Sequence, residues 1–366
     1  MKIAAVEAIP LEIPFQHGGK PFGWGAEAWT RLSILLVRVT TDAGITGYGE
    51  AFSYGCRRAV QAVVEDMIAP LAVGAQAGDI IALNRSLQQK LHLQGRHGLT
   101  IFALSGLDIA LWDIAGKAAG LPVHRLLGAV GGKSIPGYAS LFRYSDPELV
   151  AERCHAAVAQ GYRWIKLHEI HLPEVAAARG ALGEDVPIMV DTNCPWTPAE
   201  ARRQALALEP YGIHWLEEPI FPPEDFASLA RLQSETGIAL AAGENACTAF
   251  DFHKMLAAGA VTYAQPSVTK VGGISEFVQV AALARAHGVE VMPHSPYFGP
   301  GFAASLQLAA ALPEGALFER LYVDLEASLY GDLVDAAGGE FRVPEGPGLG
   351  ADPDADVIAA YRVSDA

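Results

Sequence analysis

Along the first 55 or so residues, successive positions alternate in the fashion of a strand. Ile34, Leu36 and Arg38 alternate with Leu35, Val37 and Val39, an Asp42-Ala43-Gly44 turn follows, and a second run covers 45–50. The pattern predicts a β-hairpin. The opening MKIAAVEAIPLEIPF reads as a further strand, because Glu7, Pro10, Glu12 and Pro14 interrupt it too often for the core of a signal peptide. Between that strand and the hairpin lies HGGKPFGWG, residues 17–25, a glycine-rich connector that predicts a mobile lid. From residue 57 to 127 the period becomes helical, with Ala103, Leu107, Ala110, Leu111 and Ile114 on one face. After Gly131-Gly132 the rhythm changes again. Short apolar runs at 135–139, 164–168, 187–191, 213–217, 238–244, 262–267, 290–295 and 316–321 alternate with amphipathic stretches, which is the signature of a parallel (β/α) barrel. The expected architecture is therefore α/β. It has an N-terminal α+β unit over 1–129, a barrel over 130–321, and a C-terminal segment, 322–366, that returns to the first unit.

Composition narrows the class of partner. The chain has 366 residues, 51% of them hydrophobic, and 26 Lys and Arg against 41 Asp and Glu give a formal charge of −15. Such a surface repels nucleic acid and anionic lipid, so neither is expected as a partner. No run approaches the roughly 18–20 uninterrupted apolar residues of a membrane span, so membrane insertion is not expected. Cys56, Cys154, Cys194 and Cys247 form no CxxC pair, which suggests neither a disulfide framework nor a zinc knuckle and favours a reducing, cytoplasmic setting.

The chemistry gathers at the polar ends of the barrel runs. Asp191, Glu217 and Glu244 are 26 and 27 residues apart, one βα unit each, so the three carboxylates are expected side by side at the C-terminal mouth. Their mutual repulsion calls for a cation, and an all-oxygen donor set suits Mg²⁺, with Mn²⁺ as an alternative. Glu218 points the other way along its strand and is expected to be structural. Lys166 and His168, two residues apart in WIKLHE, share a strand face and meet the same ligand. Either is a candidate base, since a nearby divalent cation lowers a lysine pKa and histidine titrates near neutrality. His294 and Glu319 end the seventh and eighth runs.

These residues resemble the enolase superfamily, specifically its mandelate racemase and muconate lactonizing group. The resemblance spans essentially the whole chain and is carried by LSGLDIALWDIAGKAAGLPVHRLLG, VDTN, WLEEP, AGEN, QPSVTKVGG, MPHS and FERL. It implies a capping domain over a modified TIM barrel, with Mg²⁺ binding a substrate carboxylate, a base removing the α-proton, and an enediolate intermediate. It implies that Asp191, Glu217 and Glu244 are the metal ligands. Lys166 is then the first member of the strand-two pair, His294 the strand-seven base, and Glu319 the residue that hydrogen-bonds the enediolate oxygen. Two positions depart from the pattern: His168 replaces the usual lysine base, and Ser267 replaces the aspartate that usually orients the strand-seven histidine.

With Lys166 and the metal beside it, His168 is expected to be neutral at pH 7 and to take the α-proton, leaving His294 on the opposite face. Asn193, His17, Trp24 and Tyr54 are the expected substrate-binding residues, with Arg96 or His97 at the entrance. The first expectation for the reaction is Mg²⁺-dependent dehydration of a sugar acid. Alternatives are a racemase or epimerase, a cycloisomerase of a hydroxy or amino acid, and a metal-binding homologue without turnover. The expected partner is a small carboxylate, and relatives of this kind are often homo-oligomers.

Overall fold

The computed structural model describes residues 1–21, 23, 28–130, 134–312 and 316–364. Among them, β1 (Ile3–Gln16), β2 (Arg31–Thr41) and β3 (Thr46–Ala51) form an antiparallel sheet in which Val6 faces Val39 and Leu35 faces Ala51. The turn between β2 and β3 closes through a 3.0 Å bond from the Thr41 amide to the Ile45 carbonyl. Both faces of β2 are covered. Leu35, Val37 and Val39 pack with Ile101, Leu104, Leu107 and Ile114 of the capping unit, whereas Ile34 and Leu36 join the barrel core. This double burial is why the strand reads SILLV rather than apolar and polar in turn.

The helix Leu99–Ala119 is long and apolar enough by composition to cross a membrane, yet 78% of its most apolar window is buried inside the protein. It lies close against β3. A Cβ on Gly49 would overlap the Gly106 carbonyl oxygen, so only glycine permits this approach.

The barrel strands are β4 (Ser134–Ser140), β5 (Ile165–Leu167), β6 (Ile188–Asp191), β7 (Trp215–Glu217), β8 (Leu240–Ala242), β9 (Tyr263–Ala264), β10 (Glu290–Val291) and β11 (Phe318–Leu321). They pair in parallel from β4 to β10, and β11 pairs with β4. Between β10 and β11 side chains close the seam instead of a ladder. The Ser295 amide donates to Glu319 Oε2 (3.0 Å), its hydroxyl to the Glu319 carbonyl (3.0 Å), and the Leu317 amide to Met292 Sδ (3.3 Å). Several strands stop earlier than the apolar runs suggest, so His168, Glu244, Ser267 and His294 stand just beyond the paired residues.

The C-terminal segment divides its pairing. β12 (Asp324–Leu325) adds to β1 at Phe15 and Gln16, whereas β13 (Glu340–Arg342) runs antiparallel to β4 of the barrel. On the outer edge of β1 the Pro10 and Pro14 carbonyls accept the Val363 (3.0 Å) and Glu326 (2.9 Å) amides, contacts that need no N–H from either proline.

The two units are joined close to the barrel mouth. Asn84 donates to Asp108 Oδ2 (2.8 Å) and to the Gly272 carbonyl (2.9 Å), and Asp108 Oδ1 accepts the Ser275 amide (3.0 Å). Glu50, from β3, accepts the Gly301 amide at 2.8 Å in the first turn of the helix Pro300–Ala311.

Candidate active site

Asp191 and Glu217 are register partners on β6 and β7, which places their carboxylates next to one another at the strand ends. Between them stands the ammonium of Lys166, fully buried. Its Nζ lies 2.9 Å from Glu217 Oε1, 3.3 Å from Asp191 Oδ2 and 2.8 Å from Glu319 Oε1. Burial opposes the charge, but Glu217, Glu319 and Asp191 outweigh it and hold the Lys166 pKa well above the ordinary value. A depressed lysine pKa is therefore not what this arrangement produces.

His168 and Lys166 meet on one oxygen, as their shared strand face implies: His168 Nε2 is 3.2 Å from Asp191 Oδ2. The other ring nitrogen, Nδ1, lies 2.5 Å from the Leu141 carbonyl. A carbonyl only accepts, so Nδ1 carries a proton and Nε2 is the atom free to gain or lose one. Burial and Lys166 lower the His168 pKa, but Asp191 raises it more, and the net shift is upward. The carboxylate at hydrogen-bonding distance is the contribution that spacing along the strand did not show.

Glu244 follows Gly243, whose φ of +144° turns the chain out of β8. Its Oε2 lies 2.5 Å from His294 Nε2. Ser267 does not reach the other nitrogen of this imidazole. Its hydroxyl bonds to Tyr297 Oη instead, and His294 Nδ1 is buried with no hydrogen-bond partner among the described residues. The missing aspartate thus leaves the orienting position of His294 unfilled.

The remaining acids have distinct surroundings. Burial and the neighbouring Asp191 push the Glu217 pKa up to about 7, while Trp215 Nε1 donates to its Oε2 at 2.9 Å. Glu319 accepts on both oxygens, from Ser140 Oγ (2.9 Å) and Lys166 on one and from the Ser295 amide on the other, and Lys166 holds its pKa down despite burial. Its carboxylate thereby helps to fix Lys166 in place. Glu218 is turned away from Lys166 and accepts from Asn245 Nδ2 at 2.8 Å and from Cys194 Sγ at 3.5 Å. Burial and the adjacent carboxylates raise its pKa well above the usual range.

Asn193, Cys194, Glu218 and Thr248 all have positive φ, between 44° and 62°. Left-handed backbone at non-glycine residues is costly, and its concentration at strand ends marks a site held in shape by its surroundings.

Of the expected substrate contacts, Asn193 is committed to the protein. Its amide and Nδ2 each donate to Asp191 Oδ1 at 3.0 Å, and its Oδ1 accepts from Arg143. His17 stacks on Phe142 with centroids 4.4 Å apart, and Tyr54 packs against Trp29 while donating to the Pro296 carbonyl at 2.6 Å. Trp24 lies outside the described residues. Arg96 hydrogen-bonds Gln88 and lies over Phe250, and His97 pairs with Asp251 at 3.6 Å, so both engage the outer helices. Arg143, Trp29, Phe142 and Tyr297 were not anticipated. Their only signal in the sequence is position, either just after a barrel run or in the connector before the hairpin.

The chain resembles characterised proteins over its full extent. It is 32% identical to D-galactarolactone cycloisomerase of Agrobacterium fabrum, covering 100% of both chains, and 33% identical to arabinonate dehydratase of Saccharolobus solfataricus, covering 87% of this chain and 88% of the relative. A mandelate racemase/muconate lactonizing protein from Paracoccus denitrificans, solved in complex with magnesium, superposes with a TM-score of 0.87 at 28% identity and 98% or more coverage of each chain. The family model for the mandelate racemase/muconate lactonizing enzyme N-terminal domain matches residues 14–128, and that for enolase C-terminal-domain-like proteins matches 149–357. The chain belongs to the mandelate racemase/muconate lactonizing enzyme group of the enolase superfamily.

Proposed function

We propose that this protein removes the α-proton of a sugar acid and dehydrates it to the 2-keto-3-deoxy acid. The observation that carries this reading is the placement of two imidazoles at the two ends of one row of carboxylates, His168 on Asp191 and His294 on Glu244. Proton abstraction and loss of a β-hydroxyl need two separate proton carriers, and this arrangement supplies them. The dehydratase named among the relatives supports the same reading.

Asp191, Glu217 and Glu244 would hold Mg²⁺. The fit rests on the donor set: three carboxylates at neighbouring strand ends, one of them with its pKa raised by burial and by its like-charged neighbour, a repulsion that a divalent cation relieves. Among the described residues, no three His, Cys, Asp or Glu are gathered at ligand spacing, and Lys166 and His294 compensate these oxygens instead. When bound, the cation polarises the substrate carboxylate and thereby acidifies the α-carbon. Mn²⁺ shares the same donor preference.

The chain's own contribution follows from the geometry. Lys166, kept cationic by Glu217, Glu319 and Asp191, offsets negative charge developing on the substrate carboxylate. His168 Nε2, with its tautomer set by Leu141, accepts the α-proton. His294 Nε2 gives a proton to the departing β-hydroxyl, which leaves as water. A second reading, cycloisomerisation, uses the same abstraction with an internal oxygen as leaving group, and the full-length similarity to a galactarolactone cycloisomerase favours it next. Four free cysteines, Cys56, Cys154, Cys194 and Cys247, support a cytoplasmic placement, and exposed Ile81 and Phe250 offer an apolar surface for self-association.

The test is a panel of sugar acids incubated with Mg²⁺ in D₂O and read by ketone formation and α-deuterium incorporation. Ketone with exchange is the expected result. Exchange without ketone or ring opening would move the reading to epimerisation, and neither signal from any acid would overturn it.

A further inference from the structure

Arg143 follows β4 at the barrel mouth, half-buried. Its Nε donates to the His168 carbonyl at 2.5 Å, and its Nη2 donates to the Thr192 carbonyl at 3.2 Å and to Asn193 Oδ1 at 3.1 Å. All three acceptors are neutral, and none of the described carboxylates forms an ion pair with the guanidinium. Asp191 and Glu169 act on it only at longer range. The residue is nevertheless held in a built position. Glu169, 1% exposed, accepts the Tyr144 amide at 2.6 Å and the Ser145 amide at 3.2 Å, fixing a loop in which Ser145 has a φ of +51°. His17 and Trp29 pack on Phe142, the residue before Arg143, and Tyr54 packs on Trp29. His17 and Lys20 meet the same loop, with Tyr144 Oη donating to the His17 carbonyl at 3.0 Å and Lys20 lying 3.5 Å from Asp146.

A fixed cation tied only to neutral oxygens keeps its capacity to bind an anion, and a guanidinium fork matches a carboxylate in particular. Lys166 and the carboxylate row serve the reacting end of the substrate. Arg143 sits one residue contact away from that row, through Asn193 and Asp191. We propose that Arg143 binds a second carboxylate at the far end of the substrate, so that the site selects dicarboxylic sugar acids over monocarboxylic ones of the same configuration. Glu169 is the positioning residue that presents it. This selectivity rests on the proton-abstraction reading above and adds the substrate class to it.

Paired aldaric and aldonic acids are compared by kcat/KM in the wild type, Arg143→Met and Arg143→Lys, with Mg²⁺ present. The wild type is expected to prefer the diacid by at least about tenfold. Arg143→Met is expected to lose that preference, through a KM for the diacid raised about 100-fold, and Arg143→Lys to recover part of it. A preference kept in Arg143→Met, or a wild type that favours the monoacid, overturns the assignment. Should neither class react, the proton-abstraction reading fails, and calorimetric titration of the Mg²⁺-loaded protein with glutarate and butyrate still decides the role of Arg143. Glutarate binding weakened at least about tenfold in Arg143→Met supports it, and unchanged or undetectable glutarate binding overturns it. Unaltered circular dichroism and melting of the variants separate these effects from misfolding.

Discussion

Lys166 and His168 lie two residues apart and share one oxygen of Asp191, yet the structure gives them different work. Three carboxylates surround the lysine and keep it cationic, which suits a fixed charge and not a base. The histidine has one carboxylate and a carbonyl that sets its tautomer, so its Nε2 is the atom that can exchange a proton. In the metal-free protein, an NMR titration of His168 is expected to give a midpoint above 6.5, and Asp191→Asn should bring it down by removing the charge that favours the imidazolium. The two histidines should also separate by step. His168→Asn is expected to lose both α-deuterium exchange and ketone formation by at least about 100-fold, whereas His294→Asn keeps exchange and loses ketone, since elimination follows abstraction. Parallel losses of both signals in both variants would contradict the division of roles.

At the level of elements, the capping sheet meets the barrel through a buried acid. Glu50 of β3 accepts the Gly301 amide in the first turn of the helix Pro300–Ala311, and burial pushes its pKa up to about 8 although Gly301 and Gly299 pull it down. The folded state therefore holds a proton that the unfolded chain releases near the ordinary value of 4.5. Stability from this group is complete below that value and declines as pH rises towards 8, because over that interval only the folded state binds the proton. Glu50→Gln keeps an acceptor for the Gly301 amide without the charge. Urea unfolding is expected to show the variant gaining on the wild type between pH 5 and 8, by up to a few kcal/mol. A difference that does not change with pH would show that the group titrates alike in both states.

For the molecule as a whole, activity is expected to depend on a divalent cation bound by residues from three consecutive barrel strands or their ends. EDTA should abolish turnover and Mg²⁺ restore it, and added Mg²⁺ should raise Tm because the cation binds only the folded arrangement. Glu217→Gln should remove most of that Tm increase together with turnover. Glu218→Gln should keep it, since Glu218 is turned away from Lys166 and buried against Asn245 and Cys194, where an amide keeps an acceptor oxygen. Equal loss of the Tm increase in both variants would put Glu218 among the ligands.

Periodicity was enough to show the hairpin, the helical stretch after it and eight barrel runs, because backbone geometry forces burial to repeat every second residue in a strand and about every 3.6 in a helix. One βα unit between Asp191, Glu217 and Glu244 likewise announced a row of carboxylates, since the barrel returns each strand end to the same rim. What periodicity does not encode is which atoms meet. The open seam between β10 and β11, the division of the last segment between β1 and β4, and the turn of Ser267 towards Tyr297 depend on contacts between residues distant in the chain. Protonation follows the same rule. Spacing placed His168 beside a lysine, but the upward pull on its pKa comes from Asp191 at 3.2 Å, a separation that only the folded barrel creates. Arg143 was invisible for a similar reason: a lone arginine after a strand has no pattern, and its significance comes from the neutral oxygens that hold it at the mouth. The sequence by itself determined the elements, the barrel and the kinds of group at its rim, because these follow from local periodicity and repeat length. Tertiary structure decided their charges, partners and division of labour, because electrostatic and hydrogen-bond energies depend on separations of a few ångströms that no one-dimensional spacing specifies.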